Sequence, residues 1–153
     1  SSRLTKPVAI ALMISIGIGL HNFGEGLAIG AAVGLGSIAF STFLIIGFAL
    51  HNTTEGIAIA SPLSREKKVI GKLAAMGLIA GAPAIFGAWV GGFVYSPFTS
   101  VVFLAIGAGA IFQVIITILK WIREEGDKSL SSAAVASGFA IGMVIMYLTS
   151  ILV

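Results

Sequence analysis

His21-Asn22-Phe23-Gly24-Glu25-Gly26-Leu27-Ala28-Ile29-Gly30 sets a histidine, an amide and a carboxylate in the middle of a long apolar run. Thirty residues later the chain repeats it as His51-Asn52-Thr53-Thr54-Glu55-Gly56-Ile57-Ala58-Ile59-Ala60. Six of the ten positions are identical, and Leu27/Ile57 and Gly30/Ala60 are conservative exchanges. The rest of the chain reads as a frame around this pair. Of 153 residues, 58% are hydrophobic and only 10% charged, with a mean hydropathy of +1.10. A soluble domain of this size carries about a quarter of its residues charged. A chain this poor in charge cannot cover its surface with polar groups, so the lipid bilayer is its expected solvent. There is no cysteine, which removes disulfides and thiolate metal sites from consideration. Nucleic acid is not among the expected partners.

The expected architecture is all-α: a single polytopic integral membrane helix bundle with about five transmembrane helices. Lipid forces a backbone to satisfy its own hydrogen bonds, and these runs are far too long for barrel strands. The spans are residues 8–35, 38–60, 73–95, 98–119 and 133–153. The first exceeds a hydrocarbon core of about 30 Å, so it is expected to tilt, kink or project, with Gly24 and Gly26 as weak points. Glycines mark a tight turn at residues 34–37, Ser61-Pro62 and Ser96-Pro97 mark two more, and residues 120–128 form a charged connection. Small residues at four-residue spacing, Gly26/Gly30/Gly34, Gly77/Gly81 and Gly87/Gly91, suit close helix packing.

Lys and Arg set the orientation. Arg3 and Lys6 precede the first span. Arg65, Lys67, Lys68 and Lys72 separate the second from the third, and Lys120, Arg123 and Lys128 the fourth from the fifth. With five spans all three clusters fall on one side. That places the N-terminus in the cytoplasm and the C-terminus outside it. The opening Ser1-Ser2-Arg3-Leu4-Thr5-Lys6-Pro7 lacks an initiating Met and a recognisable leader, so a start trimmed at its N-terminus is expected.

Glu25 and Glu55 are the only carboxylates within these spans, and His21 and His51 the only histidines in the chain. An ionisable side chain at membrane depth costs at least about 2.5–3.5 kcal/mol, so it faces a bundle interior or a wet cavity and finds partners. His21 and Glu25 are neighbours one turn apart, and Asn22 lies a quarter-turn round, so the three share one arc of roughly 100°. His51, Asn52 and Glu55 repeat the arc. In an antiparallel hairpin, residues whose numbers add to the same total lie level. His21/Glu55 and Glu25/His51 share that total, and the implied centre, residue 38, adjoins the glycine turn. The two sets therefore meet about 20 Å of helix from the turn, near mid-membrane, allowing about 1.5 Å per residue. Imidazole nitrogen with carboxylate oxygen suits Zn²⁺ and other divalent first-row ions. Two competing readings of the residues are a His–Glu lock between helices and a proton-coupled site without metal.

His-Asn-x-x-Glu-Gly in two successive spans resembles the ZIP family of divalent metal transporters. The resemblance implies transport of Zn²⁺, Fe²⁺, Mn²⁺ or Cd²⁺ toward the cytoplasm, with this chain corresponding to spans four to eight of eight. It implies metal ligands at His21, Glu25 and Glu55, a ligand or near neighbour at His51, and a second, adjacent site involving Asn22 and Asn52 with the glutamates bridging. It also implies partners: the metal ion as cargo, and either a homodimer or association with three further spans. Two departures stand out. Gly24 and Thr54 occupy positions where the family usually has proline, so any helix break is weaker or glycine-based. Ala82-Pro83 stands where the sixth family span often has Glu-Pro, so the second site is expected to be weak or absent.

The chain is thus read as a transporter and not as an enzyme. An intramembrane metal-dependent hydrolase would need a further acid or base, and none lies in the spans. A non-transporting metal-binding subunit is the other alternative. Gln113 with Thr117, Pro83, the loop at residues 65–72 and the aromatics Trp89, Tyr95, Trp121 and Tyr147 read first as packing, topology and interface anchors.

Overall fold

A computed structural model describes residues 5–94, 96–125 and 132–151 of the chain. Arg3, Tyr95, Lys128 and the last two residues of the fifth expected span lie outside the described residues. Five α-helices follow one another: α1 Lys6–Gly34, α2 Ile38–Ala60, α3 Val69–Phe93, α4 Pro97–Glu125 and α5 Ala133–Ser150, with a 3-10 turn Ser61–Leu63 after α2. No strand occurs among the described residues.

Four of these helices are long and apolar enough to cross a membrane: α1, α2 with its 3-10 turn, α3 and α4. The fifth is shorter, with its apolar stretch at Ala133–Leu148. Expected boundaries move in two places. α4 does not stop at residue 119 but runs on through Lys120, Arg123 and Glu124, because nothing before Gly126 breaks a helix. α3 begins at Val69, after Lys68 in a left-handed conformation (φ 53°), and not at residue 73.

Local chemistry accounts for the ends. Pro7 sits in the first turn of α1, where its missing N–H costs nothing. At the other end Gly36 takes φ 75°, and the amides of Gly36 and Ser37 return to the carbonyls of Val33 and Ala32, each at 2.9 Å. This satisfies two carbonyls that would otherwise have no donor, and it turns the chain tightly enough for α2 to fold back along α1. Neither Gly24 nor Thr54 breaks its helix: α1 and α2 run unbroken through both. The Thr54 hydroxyl donates back to the His51 carbonyl at 2.6 Å, within its own helix.

α1 is the hub, and its most extensive contact is with α3. The two helices run parallel in a fixed register. Asn22 faces Ala80, Gly26 faces Ala84, Gly30 faces Ala88 and Gly34 faces Gly92. A methyl group on Gly26 or Gly30 would collide with the carbonyl of Ala84 or Ala88. From the other side, Gly87 and Gly91 press on the carbonyls of Phe23 and Leu27. The expected packing of Gly26/Gly30/Gly34 and Gly87/Gly91 is therefore present, while Gly77 and Gly81 face open space. Pro83 shapes the seam. It removes the amide that would bond the Ile79 carbonyl, and Gly19 packs there so closely that a Cβ would fall 2.5 Å from that oxygen, a clash.

α4 packs antiparallel on another flank of α1, with Gly17 against Val114 and Phe23 edge-on to Phe103 at 5.2 Å. α5 rests on α2. The largest buried cluster, Val8, Ala11, Ile14, Ile18, Ile59, Leu63, Met76, Ala80 and Val114, lies in one half of the bundle, with Leu27, Ala32 and Leu44 buried in the other. The half that holds the cluster ends in the basic segments. Lys6 pairs with Glu124 at 3.0 Å, and Glu66 accepts from Thr5 at 2.9 Å and from Lys72 at 2.7 Å. The charged residues flanking α1, α3 and α4 thus share one end, as the charge pattern requires. Trp89 and Tyr147 are exposed on the bundle's outside.

Candidate metal centre

The hairpin of α1 and α2 delivers the level pairing expected from the repeat. His51 Nε2 lies 2.5 Å from Glu25 Oε1, and His21 Nε2 lies 4.0 Å from Glu55 Oε1. His21 also reaches Glu25 along its own helix, Nε2 to Oε1 3.3 Å. The two imidazole rings stand 6.4 Å apart. Ligand atoms of His21, His51 and Glu55 all lie within 4.8 Å of one another. Glu25 is the most enclosed of the four, at 6% exposure, and His21 the least, at 30%.

These four side chains line one cavity of about 520 Å³ together with Gly24, Ala28, Phe48, Gly107, Ala108, Ile111 and Met146. The repeat pointed to His21, Glu25, His51 and Glu55, and they converge. Asn22 and Asn52 do not line the cavity. Asn22 turns instead to α3 and donates from Nδ2 to the Ala80 carbonyl at 3.0 Å. The helical arc containing Asn22 is the one that α3 covers, and a buried amide takes a carbonyl there. Three oxygens nearby remain buried without a hydrogen-bond partner: Asn22 Oδ1, Asn52 Oδ1 and Glu55 Oε2. Each such acceptor costs about 1–3 kcal/mol unless something positive or hydrogen-bearing meets it.

The donor set fits a divalent cation. Two imidazoles and two carboxylates offer nitrogen and oxygen ligands of the kind Zn²⁺ and its neighbours take, with two negative charges to match a double positive one. The apolar members of the cavity were not legible as site residues, since Ala, Ile and Met carry no chemical signal. Ala28 and Phe48 had one: their numbers share the total that makes the two histidine–glutamate pairs level. Gln113 lies away from this cavity and donates to the Thr117 hydroxyl at 3.1 Å, a bond within its own helix.

No family model, curated protein or solved structure matches the chain. Function is therefore argued from the site itself.

Proposed function

We propose that the chain spans a membrane and passes a divalent transition-metal cation, Zn²⁺ or a similar ion, toward the cytoplasm, as its resemblance to the ZIP family implies. One observation carries this reading: duplicated His/Glu pairs from two apolar helices converge at one depth on one cavity. A pair of helices held together by a single His–Glu contact would need neither the duplication nor the cavity.

The geometry suggests the order of events. The cavity reaches from Ile111, just on the basic-end side of His21, past the His21/Glu55 and Glu25/His51 levels to Ala28/Phe48. By the positive-inside rule the basic end faces the cytoplasm. A hydrated cation would enter from the opposite side and exchange waters for Glu25, Glu55, His21 and His51. Release requires the packed core between the site and the basic end to part. A ligand set without thiolate favours release over trapping, because sulfur holds soft and borderline metals more strongly.

Reconstitution into liposomes enclosing a fluorescent Zn²⁺ indicator tests the proposal. Wild-type chain should admit Zn²⁺, and the double variant Glu25→Ala/Glu55→Ala should not. Normal uptake by that variant rejects the mechanism. Zn²⁺ binding by the wild type with no flux in any lipid would make the chain a metal-binding subunit instead.

A further inference from the structure

The cavity is larger than a metal ion needs, and its two sections differ in chemistry. One section carries His21, Glu25, His51 and Glu55. The other is walled by Ala28, Phe48, Ala108, Ile111 and Met146. An ion that kept six waters would take roughly 200 Å³, at about 30 Å³ for each water. More than half of the 520 Å³ then remains, bounded by side chains that offer water no hydrogen bonds. The apolar walls flank the polar groups on two levels: Ala28 and Phe48 lie level with each other, one helical turn beyond the Glu25/His51 level, while Ala108 and Ile111 follow Gly107, which packs on His21, toward the basic end. A pocket of this size, mostly apolar with a few convergent polar groups, has the form of a site for a small organic molecule.

The polar section specifies the head of that molecule. It holds two carboxylates, and Glu55 is half-enclosed with the Asn22 amide beside it and an oxygen in no well-formed hydrogen bond. An ammonium group brings one positive charge and three N–H donors. We infer that this cavity also binds organic ammonium ions with an apolar tail, such as small arylalkyl amines. The head would sit between Glu25 and Glu55, with the tail along Ala108, Ile111 and Met146 on α4 and α5. The inference rests on reading the four ionisable side chains as a cation site, and it makes amine and divalent metal mutually exclusive occupants.

The test uses the full chain in lipid nanodiscs with 2-phenylethylammonium as the probe. Saturation-transfer NMR in metal-free buffer reads amine binding directly, and displacement of radioactive Zn²⁺ reads competition. Ala108→Phe fills the apolar lining from an exposed position on α4, one residue from the Gly107 that packs on His21. It should weaken the amine by about tenfold or more and Zn²⁺ by a smaller factor, since overfilling excludes the bulkier occupant first. Met146→Ala enlarges the same section and should improve binding of a naphthylalkyl amine, which decides the matter if Ala108→Phe does not fold. Absence of an amine signal from wild type overturns the inference. So does equal binding by wild type and both variants, which would place the amine in lipid or at the surface. If Zn²⁺ fails to bind while amine binding persists and responds to position 108, the metal reading falls and the inference stands.

Discussion

Glu25 stands within reach of two imidazoles, one from its own helix and one from the next, and this double contact sets it apart from Glu55. It is also the more enclosed of the two carboxylates, so it acts as the fixed point of the cluster, while Glu55 has an oxygen in no well-formed hydrogen bond. Asn22 shows the same competition decided the other way. Its arc on α1 is shared with His21 and Glu25, yet α3 occupies that side and takes the amide. Outside the apolar region, Glu66 offers a residue-scale prediction. The Lys72 ammonium first, and then the Thr5 hydroxyl, hold its carboxyl below the ordinary range. A carboxyl depressed in the folded state stabilises above its unfolded pKa, about 4.3, and that contribution is lost as pH falls through the folded value. Acidifying detergent-solubilised protein from about pH 5 to about pH 3 should therefore lower the Tm of wild type more than that of Glu66→Gln. Parallel curves for the two would remove Glu66 from any role in joining α1 to α3.

At the scale of elements, the seam between α1 and α3 is held by backbone contact. Glycine is required at Gly26 and Gly30 because the space for a side chain is already filled by carbonyls of α3, which cannot swing aside. Gly30→Val should cost at least the 1–3 kcal/mol typical of overpacking, since two helix backbones must separate. Gly77→Ala and Gly81→Ala, facing open space, should stay within about 0.5 kcal/mol of wild type. Thermal unfolding of the three variants side by side checks this, and equal losses would refute the seam. The contrast also shows what the sequence can and cannot tell. The level pairing of His21 with Glu55 and Glu25 with His51 is legible, because an antiparallel hairpin has one free parameter, the position of its turn, and the glycines at 34 and 36 mark it. The choice between Gly77/Gly81 and Gly87/Gly91 is not legible from spacing, which is identical in both. Nor does continuity separate them: Gly77, Ala80, Gly81 and Ala84 form as unbroken a strip of small residues as Ala84, Gly87, Ala88 and Gly91. The fate of Asn22 and Asn52 was hidden for a related reason. An isolated helical wheel shows which side chains share an arc but not which neighbour will cover it.

For the molecule as a whole, the largest packed cluster lies toward the basic end and the cavity opens around the histidine–glutamate level. Ile14, Ile18, Ile59, Leu63 and Val114 close the bundle between the histidine–glutamate cluster and the basic end. Phe48, one turn on the other side, borders open volume. The chain has no cysteine of its own, so single-cysteine variants report cleanly. Phe48→Cys should react readily with a water-soluble thiol reagent in liposomes, and Ile18→Cys should not. Equal labelling of the two would mean that the core is not a seal.

The antiparallel repeat has one more consequence. Because each copy of the motif runs opposite to the other, the four side chains are related by a local pseudo-twofold axis lying across the helices. An ion at that axis would meet one imidazole and one carboxylate whether it arrived from above or below. Such a centre would have no preferred sense of travel, and any vectorial behaviour would have to come from the unequal packing on either side of it.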